Sequence, residues 1–370
     1  MPNASPYSSA TEPPAPRQDL SAGETMDAYH YLFDLLNRIQ VKNDDDRVAA
    51  RAGWCINLVF HEGDTLAVRE RALKVLNHYC ENVDVEQMVF WQGGMPAKFS
   101  SPGAQKKIKE LRVRWTADPK LGAMYFNIAS GNPKPPEVWE NNAQEYFFRC
   151  RIRNSEGIWE VPKWREETPP AMSAMRMCFP VSWTQSRTHE RDVAWFTNEL
   201  VRLMQPFWCT AGWGIVPAVE ERNIDSSSRG QQYLYPWLER FPGLDAIPSS
   251  ALTDPDFNQA MHSINWINYV SDPLLDKLGG REAVKAKAAE SPYLGVSEVG
   301  NCLMIRAGQF PALGDTLAGH KLPGYGAAAR LLKPIRVAAF HNNFVARLGG
   351  SYEDEQLIDC EQYLARFDRY

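Results

Sequence analysis

Trp54-Cys55-Ile56-Asn57-Leu58-Val59-Phe60 decides the fold class. Trp54, Ile56, Leu58 and Phe60 recur with period two, the spacing of a strand with one apolar face. A helix is predicted next, from about Thr65 to Asn82, with Leu66, Leu73, Leu76 and Tyr79 apolar, and then a short strand from Met88 to Trp91. The same order returns further along. Met175, Met177, Phe179, Val181 and Trp183 alternate, a polar turn follows, a helix runs from about Glu190 to Met204, and Gly212–Val216 reads as a strand. In this alignment Cys55 answers Cys178 and Phe60 answers Trp183. The expectation is an α+β fold of two pseudo-repeated strand-helix-strand halves, with an antiparallel sheet and peripheral helices.

Upstream, Met26–Gln40 reads as a first helix with Leu32, Leu35, Leu36 and Ile39 on one face, followed by an acidic loop at Asp44-Asp45-Asp46. Residues 1–24 carry five prolines among Ser, Ala and Thr without an apolar run, so a disordered tail is expected. Between the halves, Leu111–Thr116, Met124–Ile128 and Tyr146–Arg153 read as strands of an antiparallel meander. Ile158–Pro170 is a loop rich in Trp and Pro, including Trp159 and Trp164.

Downstream, Asp256–Val270 reads as a helix through Phe257, Ile264, Ile267 and Val270. Asp272-Pro273 opens another helix with the acid as N-cap, closed by Gly279-Gly280. Asn301–Ala307 reads as a strand and Gly324–Leu332 as a helix stopped before Pro334. A last helix is marked by Ser351 with Asp354 and by Leu357, Cys360, Leu364 and Phe367. The expected organisation is a tail over 1–24, an α+β body over 25–345 with halves 25–170 and 171–345, and a C-terminal helix over 346–370 that docks on the body or serves a dimer.

The chain is long enough, at 370 residues with 44% apolar, for a large core, and a net charge of −5 argues against a general nucleic-acid binder. No segment has the length and hydropathy of a membrane span. The seven cysteines show no Cys-x-x-Cys spacing and sit largely in apolar runs, as expected of reduced core thiols in a cytoplasmic protein.

Chemistry is sparse. No P-loop, dinucleotide fingerprint, zincin motif or nucleophile elbow occurs, and Gly212-Trp213-Gly214 lacks a third glycine. The seven histidines form no metal-ligand spacing. His61-Glu62 and His189-Glu190 each follow a strand and read as solvated turns. His78 and Cys80, two apart on a helix, point to different faces. Arg306, inside an apolar strand, suits a salt bridge to nearby Asp315. An enzyme reading requires dispersed residues such as His61, His189, His341 and Arg306 to converge. No cofactor or metal is expected.

One run of motifs is more specific. Tyr235-Pro236-Trp237-Leu238, Phe241-Pro242-Gly243-Leu244-Asp245, Asn265-Trp266-Ile267, Leu278-Gly279-Gly280, Ile305-Arg306-Ala307-Gly308, Leu313-Gly314-Asp315 and Leu332-Lys333-Pro334-Ile335-Arg336 succeed one another. Their order resembles the bacterial type VI secretion immunity family (TsiT-like, formerly a domain of unknown function) over roughly residues 30–345. The resemblance implies an antitoxin that binds and neutralises a cognate effector, with a nuclease as the toxin. It supplies no catalytic residues and implies no direct contact with nucleic acid or membrane. Acidic runs that imitate phosphates and aromatic loops that anchor an interface are the expected contacts: Asp44, Asp45, Asp46, Glu220 and Glu221 for the first, Trp159 and Trp164 for the second. An effector-loading adaptor or chaperone is the alternative within the same resemblance.

Overall fold

The structure, a computed structural model, describes residues 31–42, 46–92, 95–119, 124–153, 172–185, 192–219, 236–247, 252, 259–337 and 363–370. An eleven-stranded, wholly antiparallel sheet organises them. The strands are β1 (Gln40–Lys42), β2 (Val48–Phe60), β3 (Met88–Trp91), β4 (Ala97–Lys98), β5 (Met124–Ser130), β6 (Phe147–Ile152), β7 (Ser173–Phe179), β8 (Trp208–Pro217), β9 (Ile267–Ser271), β10 (Leu294–Val299) and β11 (Cys302–Ala307). Their order is β10-β11-β9-β8-β2-β7-β6-β5-β3-β4, with β1 beside the start of β2. The sheet stays open, and the α+β class is as the sequence predicts.

The opening stretch is the end of a 13-residue central strand, buried on both faces. Cys55, Asn57 and Val59 are as enclosed as Trp54, Ile56 and Leu58, so the one-faced reading is too narrow. The Trp54 face carries α1 (Leu66–Glu81) and α3 (Val193–Met204), which pack side by side. Tyr79 of α1 meets Phe148 and Phe179, Phe196 of α3 meets Phe179, and Phe179 lies opposite Trp54 in the register. Both helices start at the side chains their sequences suggest. Thr65 accepts from the Val68 N–H and Asp192 from the Trp195 N–H, each satisfying an otherwise unpaired first-turn donor.

Over the other face, the helix Pro136–Glu140 sets Trp139 against Cys55, Phe147 and Cys178, and non-helical chain forms a further part of this second layer. Residues 243–247 run alongside β8, where Ile215 donates to the Asp245 carbonyl (2.7 Å) and Asp245 donates to the Trp213 carbonyl (3.0 Å). This approach explains Gly212 and Gly214. A Cβ at 212 would lie 2.0 Å from the Asn265 side-chain oxygen, and one at 214 would lie 2.8 Å from the Asp245 carbonyl oxygen. The Gly-Trp-Gly run thus makes room for the Asn265 side chain at 212 and for the Asp245 backbone at 214.

Four expectations need correction. Leu111–Thr116 belongs to helix α2 (Pro102–Ala117), not to a strand. Ser101 caps it, Pro102 sits in its first turn, and Ala104, Ile108, Leu111 and Trp115 form the buried stripe at helical spacing. Ile267–Val270 belongs to strand β9 instead of a helix over 256–270; Ile267 and Tyr269 face one way, Asn268 and Val270 the other, between β8 and β11. Ser271 occupies the N-cap position of the helix Asp272–Asp276, and Asp272 begins its first turn.

The fourth concerns the internal repeat. Cys55 and Cys178 do lie opposite each other on adjacent strands, with sulfurs 3.5 Å apart. The third members of the two units occupy unlike places, however. Strand β8 lies directly beside β2, one strand from β7, whereas β3 is separated from β2 by β7, β6 and β5. Equivalent halves are not confirmed. Helix α4 (Arg281–Ala289) and strand β10 are additions that the sequence reading passes over.

The expected strand at Asn301–Ala307 is β11, and the expected helix at Gly324–Leu332 is α5 (Pro323–Leu332). The end of the chain docks on the body. The Ala246 N–H donates to the Tyr363 hydroxyl (2.7 Å), and Arg366 donates to the Pro242 carbonyl (2.9 Å) between the rings of Tyr363 and Phe367. Asp368 bonds Arg336 at 2.8 Å, and this contact, with Lys333, holds its carboxyl below the usual carboxylate range.

Candidate functional site

The densest polar feature is internal. Successive register partners on six adjacent strands are Asn127, Arg149, Arg176, Asn57, Thr210 and Asn268, all on the face turned away from α1 and α3. None is more than 3% exposed. Two guanidinium groups stand next to each other in this row. Such burial requires hydrogen-bond partners. Arg149 donates to the Asn127 side chain (2.8 Å) and to the Val219 carbonyl; Arg176 donates to the carbonyls of Ile215 (2.7 Å) and Ile247. Asn57 donates to the Asp245 carboxylate at 3.3 Å, and Asn268 donates to the Asn265 carbonyl at 2.8 Å while accepting from its N–H. The row therefore fastens the sheet to the second layer. Its donors are engaged by backbone carbonyls and side chains within the protein, an arrangement suited to anchoring.

The residues singled out for chemistry are scattered. His61 follows β2 directly, with its ring edge-on to Phe207 at 4.5 Å, and burial holds its pKa low against the opposing pull of Glu62. Arg306 lies on β11, separated from β2 by β9 and β8. The two do not converge, and His189 and His341 lie outside the described residues. Asp315 is engaged by Arg240, through bonds of 3.0 and 2.7 Å, not by Arg306. Burial pushes the Asp315 carboxyl up, but Arg240 outweighs it and holds the group low. His78 stacks on Phe196, and burial pushes the Cys80 thiol up to about 11, the reverse of an activated nucleophile. Among the described residues, no three His, Cys, Asp or Glu side chains are grouped to hold a metal. No described helix is long and apolar enough to cross a membrane.

Of the predicted contact residues, Asp46 is described. It is exposed, in the left-handed conformation (φ 58°), and bonded to Lys42 at 2.8 Å. Asp44, Asp45, Trp159, Trp164, Glu220 and Glu221 lie outside the described residues.

Relationship carries the next step. The model of the TsiV family, described as type VI immunity for VRR-NUC, matches residues 155–367, more than half of the chain. The chain belongs to the TsiV family. The family motifs at 235–245, 265–267, 305–315 and 332–336 all fall inside the match, so the resemblance to type VI immunity proteins holds. In TsiV terms, the matched part supplies β7 to β11, α3 to α5 and the second layer against β8. Among solved structures, the Pseudomonas aeruginosa T6SS protein PA0821 shares the fold, with a TM-score of 0.67 at 18% identity over 93% of this chain and 91% of its own. No curated protein matches.

Proposed function

We propose that this TsiV-family protein is an immunity protein that binds a cognate VRR-NUC nuclease effector and neutralises it stoichiometrically, without turnover. The family match over residues 155–367 carries this reading. The physical character of the chain supports it. Its buried polar row joins the sheet to the second layer, and among the described residues no three His, Cys, Asp or Glu side chains are grouped to hold a metal. A rigid open sheet with a pinned second layer presents a preorganised surface, which lowers the ordering cost of association. A nuclease acts where nucleic acid lies, so the encounter is placed in the cytoplasm.

Titrating the purified effector with this protein in a DNA-cleavage assay is expected to abolish cleavage at a fixed molar ratio, with a sharp break in the curve. Undiminished cleavage by an effector that co-purifies with the protein would assign it as a loading adaptor. Undiminished cleavage without association would overturn the reading.

A further inference from the structure

An open sheet has edges, and this one treats them differently. Strand β4, at one end of the sheet, is two residues long, preceded by Pro96 and ended by Lys98. Strand β1, laid along β2, has three residues, a register shift between Val41 and Lys42, and a lysine at its end. Shortness, proline, lysine and irregular register all keep an exposed edge from pairing with another chain. Strand β10, at the opposite end of the sheet from β4, has none of them. Its six residues, Leu294-Gly295-Val296-Ser297-Glu298-Val299, follow β11 in an unbroken register from Leu294–Ala307 to Val299–Cys302. Its single charge, Glu298, is held by Lys285 of α4 at 2.6 Å.

The hairpin turn settles which backbone groups face outward. Gly300 (φ 58°) and Asn301 form a two-residue turn, which makes Val299 and Cys302 its closing hydrogen-bonded pair. At the other end the Gly308 N–H donates to the Tyr293 carbonyl (2.8 Å), in step with the same alternation. Gly295, Ser297 and Val299 therefore bond to β11, while the N–H and C=O groups of Val296 and Glu298 and the Leu294 carbonyl point away from it. Among the described residues these outward groups have no partner. Tyr293, 51% exposed, stands at the open end of the same row.

We infer that β10 pairs antiparallel with β10 of a second copy of this chain, about a twofold axis at Val296, so that two sheets join into one. The inference is independent of the immunity reading. The occupant follows from setting the strand against itself. A register centred on Leu294 or Gly295 draws Pro292, which has no N–H, into the bonded row. One centred on Ser297 leaves Tyr293 facing the turn at Asn301, and one centred on Glu298 sets two carboxylates opposite each other. The register centred on Val296 has none of these faults. It places Val296 opposite Val296, Leu294 opposite Glu298, Gly295 opposite Ser297 and Tyr293 opposite Val299. No like charges meet, a β-branched pair lies on the axis, and the exposed Tyr293 ring gains a β-branched neighbour. Val296 exchanges N–H and C=O bonds with its own copy, and Glu298 donates to the Leu294 carbonyl across the join. The edge is complementary to itself, as a closed twofold interface requires.

The test is light scattering on the full-length chain as it elutes by size, at loads up to about 100 μM, where micromolar association is readily seen. The wild-type protein is expected at twice the 41.9 kDa of one chain. Val296→Lys sets two ammonium groups on the axis, and Val296→Pro removes an outward N–H while sparing the bonds to β11. Each is expected to raise the dissociation constant at least about tenfold, whereas Lys321→Glu, an exposed change elsewhere, leaves the mass unaltered. Circular dichroism confirms that the variants fold. As a gain of signal, Val296→Cys is expected to give a chain-to-chain disulfide on mild oxidation with copper phenanthroline, since paired positions on adjacent strands lie about 5.5 Å apart. A wild-type monomer at the highest load overturns the inference. So does a dimer that persists in folded Val296→Lys and Val296→Pro and does not cross-link through Val296→Cys. A monomer whose binding to the VRR-NUC effector is lost in Val296→Lys reassigns the edge to a strand of the effector, and overturns it too.

Discussion

Replacing Trp54 by alanine is expected to lower the free energy of unfolding by about 4 kcal/mol. Trp54 is fully buried in the central strand and meets Trp213 edge-on at 5.3 Å and Trp266 at 5.7 Å. Alanine loses the transfer free energy of the indole, leaves a cavity that strands on both sides prevent from closing, and removes two aromatic contacts worth about 0.5–1.5 kcal/mol each. Trp54→Phe retains much of the volume and is expected to lose about half as much. Urea denaturation followed by circular dichroism checks both. A Trp54→Ala midpoint equal to that of wild type would mean that the three tryptophans do not share a packed core.

Arg176→Met is expected to cost about 2–5 kcal/mol, although methionine suits a buried site better than a cation does. The reason lies in what remains. The carbonyls of Ile215 and Ile247 are enclosed between the layers and lose their guanidinium donor. A buried acceptor left without a partner costs about 1–3 kcal/mol. Arg176→Lys keeps the charge but not the planar fork that reaches both oxygens, so it is expected to fall between methionine and wild type. Urea denaturation again provides the measurement, and amide exchange along 213–215 and 245–247 adds a local readout. Loss of protection there in Arg176→Met, with β5 and β6 unchanged, is the expected pattern. Unaltered stability would show that the arginine does not fasten the second layer.

Local patterns gave most of the elements. Thr65 and Asn82 bracket α1, Met88–Trp91 is β3 to the residue, and α5 stops where Pro334 requires. Misreadings arose where two periods fit one stretch. Leu111, Val113 and Trp115 alternate as a strand would, yet the longer series Ala104, Ile108, Leu111 and Trp115 governs, leaving Val113 exposed. Ile264, Ile267 and Val270 match a helical spacing, but Asn268 donates to the Asn265 and Ile305 carbonyls and the segment takes its place in the sheet.

Long-range pairing was the part no local pattern carries. Asp315 finds Arg240 across 75 residues, a separation at which the nearer Arg306 is the natural guess from sequence. The polar row draws on strands from 57 to 268, and only the strand order shows that six unrelated positions are neighbours. Family membership was legible for a different reason. Its motifs are Pro, Gly and Trp placements that hold the second layer, such as Phe241-Pro242-Gly243-Leu244-Asp245 against β8.

Co-expression tests the central claim most directly. The VRR-NUC effector is expressed in a bacterial host with and without this protein, and any complex is purified by size. The account predicts that growth is restored and that the two proteins elute together. Equal killing in both strains, with this protein folded and present in excess, would contradict it.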